Sequence, residues 1–197
     1  MPEKKICYFD VETTGIDPES QDIIQFAYII EIDGVVKKQG GIYMQPFVYE
    51  TISPKALEVN GITIEQIKTF DSPEKAHRMI TQIFGRFINK YDKNDKFYPA
   101  GYNVDFDLKF LHNFFKKNHD NYFGSWFNWH KIDPLQILYF LEYTGKIDLP
   151  DYKLATVCKH FGIELDAHEA GSDITATRQL IKLLQKEYFN GKEKKGQ

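Results

Sequence analysis

The chain has 197 residues, 42% hydrophobic and 27% charged, a length and mix that suit one globular domain with a sizeable core. A formal net charge of −3 excludes a broad basic face that wraps long duplex DNA, though not a grip on a short strand end. No apolar run approaches the roughly 20 residues of a membrane helix. The only cysteines, Cys7 and Cys158, form no C-x-x-C, so we expect reduced thiols, a cytoplasmic location and no membrane partner.

The amino terminus, M-P-E-K-K, runs straight into the first strand, and no secretory leader is expected. Residues 7–15 read C-Y-F-D-V-E-T-T-G. The apolar start suits a buried strand, and Asp10 and Glu12, two apart, share one of its faces. Two like charges there are costly unless a cation lies between them, and carboxylates suit a hard divalent ion such as magnesium or manganese. A D-x-E pair is also common and usually solvated. Thr13, Thr14 and Gly15 close the strand in a turn whose backbone N–H groups can meet an anion.

A second strand is expected over 22–32, a hairpin at Asp33-Gly34, and a third strand over 35–45. Ser53-Pro54 starts a short helix that stops at Asn60-Gly61, with Ile62 and Thr63 in a loop. Ser72-Pro73-Glu74 starts another, whose apolar residues recur at helical spacing to about Tyr91. After a polar turn at 92–95 come a strand over 97–102 and a helix over 105–118. Phe106, Asp107, Phe110, Leu111, Phe114 and Phe115 form one stripe of that helix. Asp107 is its odd member, since acids are rarely buried unless paired or bound to metal.

The stretch 119–130 carries Tyr122, Phe123, Trp126, Phe127 and Trp129 without a period. These rings either stack on bases or pack under a loop, and packing is the preferred reading. Asp133-Pro134 caps a helix to about Tyr143, and an outer supporting role for the Asp133 carboxylate stays open. A helix over 153–161 stops at Gly162, and a last one over 172–189 opens with Asp173 on its inward row. We expect one domain over 1–190, with a flexible solvated tail at 191–197. A meander followed by alternating strands and helices implies a mixed α/β sheet.

Four acids therefore stand out, Asp10, Glu12, Asp107 and Asp173, with His168 in the loop H-E-A-G-S-D that opens the last helix. The motifs D-V-E-T-T-G, N-V-D-F-D-L-K-F-L and H-E-A-G-S-D resemble, in order, those of the DEDDh (DnaQ-like) 3′–5′ exonucleases. This resemblance spans about residues 4 to 185, and the spacing of the last motif leans towards the epsilon proofreading subunit of DNA polymerase III. It selects Asp107, not Asp105, as the acid of the second motif. Around L-E-V-N-G-I-T, Asn60 stands where relatives often have histidine.

The resemblance implies a ribonuclease-H-like fold, a mixed five-stranded sheet flanked by helices. It also implies removal of nucleoside 5′-monophosphates from single-stranded 3′ ends with two divalent ions, Mg2+ or Mn2+. By resemblance, Asp10 bridges both ions, Glu12 and Asp173 complete one site, Asp107 holds the other, and His168 is the general base. Thr13, Thr14 and Gly15 would hold the strand terminus through the backbone. Ile16 and Ile62 would flank the terminal base or be plain core, and Asn103 would contact the sugar or pin its turn. DNA is preferred over RNA as substrate, with a DNA polymerase as candidate partner. The alternatives are an RNA-trimming enzyme and a non-catalytic module that binds strand ends or a polymerase.

Overall fold

The computed structural model describes residues 3–165 and 170–189. His168 and the tail at 191–197 lie outside them. The central strand, β1 (Lys5–Thr13), pairs antiparallel with β2 (Ile23–Ile32), placing Asp10 opposite Ala27 and Glu12 opposite Gln25. β2 pairs antiparallel with β3 (Val35–Tyr43) across a turn in which Asp33 and Gly34 have φ of 49° and 83°. Positive φ at both central residues is what a tight type I′ hairpin requires. β4 (Tyr98–Ala100) lies parallel to β1 on its other side, giving the order β3-β2-β1-β4.

The sheet is mixed, as expected, but the described residues form four strands and not five. The place of a fifth is taken by two isolated parallel bridges, Phe97 with Phe127 and Ala100 with Ile132. The chain spends more residues between 127 and 132 than β4 spends between 97 and 100, so the ladder is interrupted. Ile132 still donates to the Pro99 carbonyl at 2.9 Å and accepts from Gly101 at 3.2 Å. Pro134 then forces a helix start before pairing can extend.

Helices cover both faces. α1 (Pro54–Asn60) ends at Gly61 with φ 67°. α2 (Ile64–Ile67) is a single turn where the sequence pattern predicts only loop, capped reciprocally by Thr63 and Gln66. α3 (Pro73–Phe84) stops at Gly85, short of the expected Tyr91, and continues as tight turns. α4 (Val104–Lys117), α5 (Pro134–Tyr143), α6 (Leu154–Phe161) and α7 (Ala170–Leu184) complete the set, α7 passing into a π-helical turn, Gln185–Phe189.

Alternation along β1 sorts the core. Cys7, Phe9 and Val11 face α3 and α4, where Phe84 meets Phe26, Phe97, Trp126 and Phe127 with ring centroids 5.4–6.2 Å apart. Tyr8 faces the other side, towards Ile174 of α7. Asp10 and Glu12 share that face by period two. α7 is tied to β2 through Glu31, 1% exposed, whose two oxygens accept from Arg178 and Lys182 at 2.7 Å each.

Candidate active site

β1 carries Asp10 and Glu12 at its C-terminal end, where α4 and α7 begin. Asp107, in the first turn of α4, is 4% exposed, and one of its oxygens accepts the Val11 backbone N–H at 3.0 Å. That bond ties α4 to β1 and aims the carboxylate at the strand's acidic end. Its neighbour in sequence, Asp105, points outward and pairs with Lys131. Asp173 opens α7 on the face of β1 that bears Asp10 and Glu12.

Burial and neighbouring charge both bear on these groups. Burial raises the Asp10 carboxyl well above the usual carboxylate range, and the charges of Asp107, Glu12 and Asp173 raise it further. Burial and Asp173 lift Glu12 to about 7, against a hydrogen bond from Asn60. Asp107 is pushed up to about 8, chiefly by burial, against the Val11 N–H and its own backbone. Among the described residues no basic side chain offsets the charge of these three groups, which protonation or a bound cation would relieve. Oxygen donors alone, clustered and charged, fit a hard divalent ion. Among the described residues, no three of these groups are set closely enough to form a finished metal cage.

Beside the acids runs a groove of ≈ 390 Å³, lined among others by Glu12, Gly15, Ile16, Lys55, Val59 and Phe106. Its floor is the turn after β1. Thr13 donates its hydroxyl to the Gly15 carbonyl at 2.5 Å. The Thr14 N–H is already spent on the Asp22 carbonyl at 2.8 Å, and its hydroxyl accepts from the Asp22 N–H at 2.9 Å. Thr14 therefore holds the turn together, and the amides of Gly15 and Ile16 have no acceptor among the described residues. A Cβ on Gly15 would lie 1.8 Å from the Gln21 amide nitrogen, so any side chain there would displace the Gln21 amide. Gln21 in turn donates to the carbonyls of Thr14 and Thr51, locking the turn against the approach to α1.

Ile16 is 86% exposed at the groove's edge and is not core. Ile62 is half-buried just past α1 and does not line the groove. Asn103 is exposed with φ 56° at the start of α4, and its N–H donates to Asp133 at 3.2 Å, which pins the turn. Asp133 also caps α5 through the Leu135 N–H. Asn60 donates to the Thr13 carbonyl at 3.1 Å, bridging α1 to the end of β1. Among the lining residues that sequence reasoning missed are Gln21, Lys55 and Phe106. Phe106 sits in an apolar stripe that reads as core, and nothing local marks Lys55 on a helix whose inward face the sequence does not disclose.

The family model described as exonuclease matches residues 7–181. The chain belongs to the exonuclease family. Among related exonuclease-family proteins, it is 30% identical over 180 residues to the PolC-type DNA polymerase III of Halalkalibacterium halodurans, covering 91% of this chain and 11% of that one. It is 28% identical over 195 residues to exodeoxyribonuclease I of Buchnera aphidicola, covering 90% and 38%. The chain thus spans about a tenth of the polymerases and under two fifths of that exonuclease. Exonuclease I of E. coli in complex with a dT13 oligonucleotide superposes with a TM-score of 0.76 at 23% identity, over 92% of this chain and 41% of that one. Its zinc-bound complex with single-stranded DNA gives 0.78 at 23% identity, over 94% and 41%. These two structures establish the ribonuclease-H-like fold.

Proposed function

We propose that this domain removes nucleoside 5′-monophosphates from the 3′ end of single-stranded nucleic acid, DNA in preference to RNA. The observation that carries the reading is the trio of buried carboxylates Asp10, Glu12 and Asp107, with no basic partner among the described residues, beside a groove that Glu12 lines. Asp10, Glu12, Asp107 and Asp173 would hold two divalent ions, magnesium or manganese. When bound, these supply positive charge to the attacking and leaving oxygens of an in-line displacement at phosphorus.

The chain's own groups do the rest. The tight turn after β1 offers the Gly15 and Ile16 amides to the strand terminus, while Ile16 and Phe106 form walls for the last base. Lys55 offers charge to a phosphate. His168 takes a proton from the attacking water as general base. The polymerase relatives make proofreading beside a DNA polymerase the favoured setting.

End-labelled DNA and RNA oligonucleotides, digested side by side with magnesium, test this reading. Stepwise shortening from the 3′ end is expected, stopped by a 3′ block or a chelator and indifferent to a 5′ block. His168→Ala should slow it by roughly 10²–10⁴-fold while leaving strand binding intact. Full activity in excess chelator overturns the reading.

A further inference from the structure

The aromatic stretch 119–130 divides in the structure. Phe123, Trp126 and Phe127 turn inward to the α3–α4 core, whereas Trp129 is 95% exposed. A single exposed tryptophan is ordinary. This one, however, stands in the lining of a second hollow, ≈ 490 Å³, whose apolar part is Leu108, Phe123 and Phe127. Lys109, His112 and Lys131 surround it with cationic or protonatable groups. Its one acid, Asp105, is paired with Lys131, and Lys109 has no ion pair among the described residues.

The hollow and the groove share a wall. Phe106 lines the groove and Asp105, next in the chain, lines the hollow, so only the first turn of α4 separates them. A helix is about 10 Å across, a width a single strand crosses in a few nucleotides. The acids beside the groove repel a polyanion, and in a chain of net charge −3 the hollow's lysines join Lys55 of the groove in offsetting that repulsion.

We propose that this hollow is the upstream subsite for the strand whose 3′ end lies in the groove. A base stacks on Trp129, Lys109 meets one flanking phosphate, and Lys131 meets the other by exchanging its exposed pairing with Asp105 for it. This rests on the exonuclease reading. An aromatic platform flanked by cations takes bases without regard to sequence, which suits an enzyme that shortens any strand.

The test uses this chain in calcium, with 5′-labelled oligothymidines of about 12 and about 3 nucleotides, one within and one below the roughly 4–16 nucleotides that a single-strand-binding fold covers. Trp129 is the exposed one of the two tryptophans and Trp126 the buried one, so quenching of the exposed emission reports the subsite. The longer strand should quench wild type and leave Trp129→Ala unquenched. Trp129→Ala should weaken the longer strand roughly 10-fold and the shorter one hardly at all. Lys109→Gln with Lys131→Gln should lower the salt dependence of binding by about 0.7 in the log–log slope for each phosphate no longer neutralised. A 12-mer that binds by anisotropy without touching the exposed emission, and equally well in Trp129→Ala, overturns this subsite and leaves the exonuclease reading standing. Failure of wild type to bind either strand overturns both.

Discussion

Buried carboxylates occur in two kinds of place in this molecule. Glu31 and Asp22 are as deeply buried as Asp107, yet every one of their needs is met within the protein. Glu31 takes Arg178 and Lys182. Asp22 takes Lys117 at 2.7 Å and the backbone N–H groups of Phe47 and Val48 at 3.0 and 3.1 Å. At the end of β1, by contrast, burial raises Asp10, Glu12 and Asp107, neighbouring carboxylates raise them further, and among the described residues no basic side chain offsets this. Burial of an acid therefore does not mark a functional site. Burial without a counter-charge does, because the fold has left that charge for something outside it to neutralise.

The largest effect should come from neutralising one unpaired acid. Asp107→Asn should cut turnover by roughly 10³-fold or more, about the scale of a lost electrostatic contact at a reacting centre. It should leave the metal-free fold at least as stable as wild type. A destabilised Asp107→Asn would place Asp107 with the structural acids, and steady-state rates beside chemical denaturation separate the two.

The reverse pattern is expected for Glu31→Gln, with kcat little changed and the fold weaker by about 2 kcal/mol, the scale of hydrogen bonds to charged groups. Arg178 and Lys182 retain 25% and 37% exposure and can turn to water. The loss therefore stays below the roughly 3–5 kcal/mol of a stranded buried charge. Urea denaturation measures it.

The two sites should also separate by pH. Glu12 and Asp107 have folded-state values near about 7 and about 8, above the roughly 4 of an unfolded chain. The folded protein therefore binds more protons between those limits, and the metal-free fold loses stability as pH rises from about 4 to about 8. Thermal unfolding in chelator should show that decline, and Asp107→Asn should flatten it. A melting temperature that climbs over the same range would contradict the unpaired reading.

The smallest effect belongs to Asp105→Ala. An exposed ion pair with Lys131 contributes about 0–1 kcal/mol, so stability and kcat should both stay near wild type. A large loss of turnover would shift the register of the second motif by two residues.

Much of this was legible in the sequence because it is local. The period of two places Asp10 and Glu12 on one face, and a carboxylate in an apolar stripe singles out Asp107. The structural acids stayed hidden because their partners are distant in sequence, 95 residues for Asp22 with Lys117 and 147 for Glu31 with Arg178. α2 was legible and missed, since T-I-E-Q from Thr63 carries a capping box. The fifth strand was implied by the family resemblance alone; the residue pattern itself marks four strands, the number that the described residues form. Trp129 could not be told from Trp126 without a period to assign their faces.

The claim that the β1 acids await a divalent cation is tested most directly by thermal unfolding at pH 8 across a manganese titration, with Asp107→Asn alongside. Binding to the folded state alone raises the melting temperature with metal concentration. The account predicts a progressive rise for wild type and a much smaller one for Asp107→Asn. An equal rise in both, or none in wild type, would contradict it.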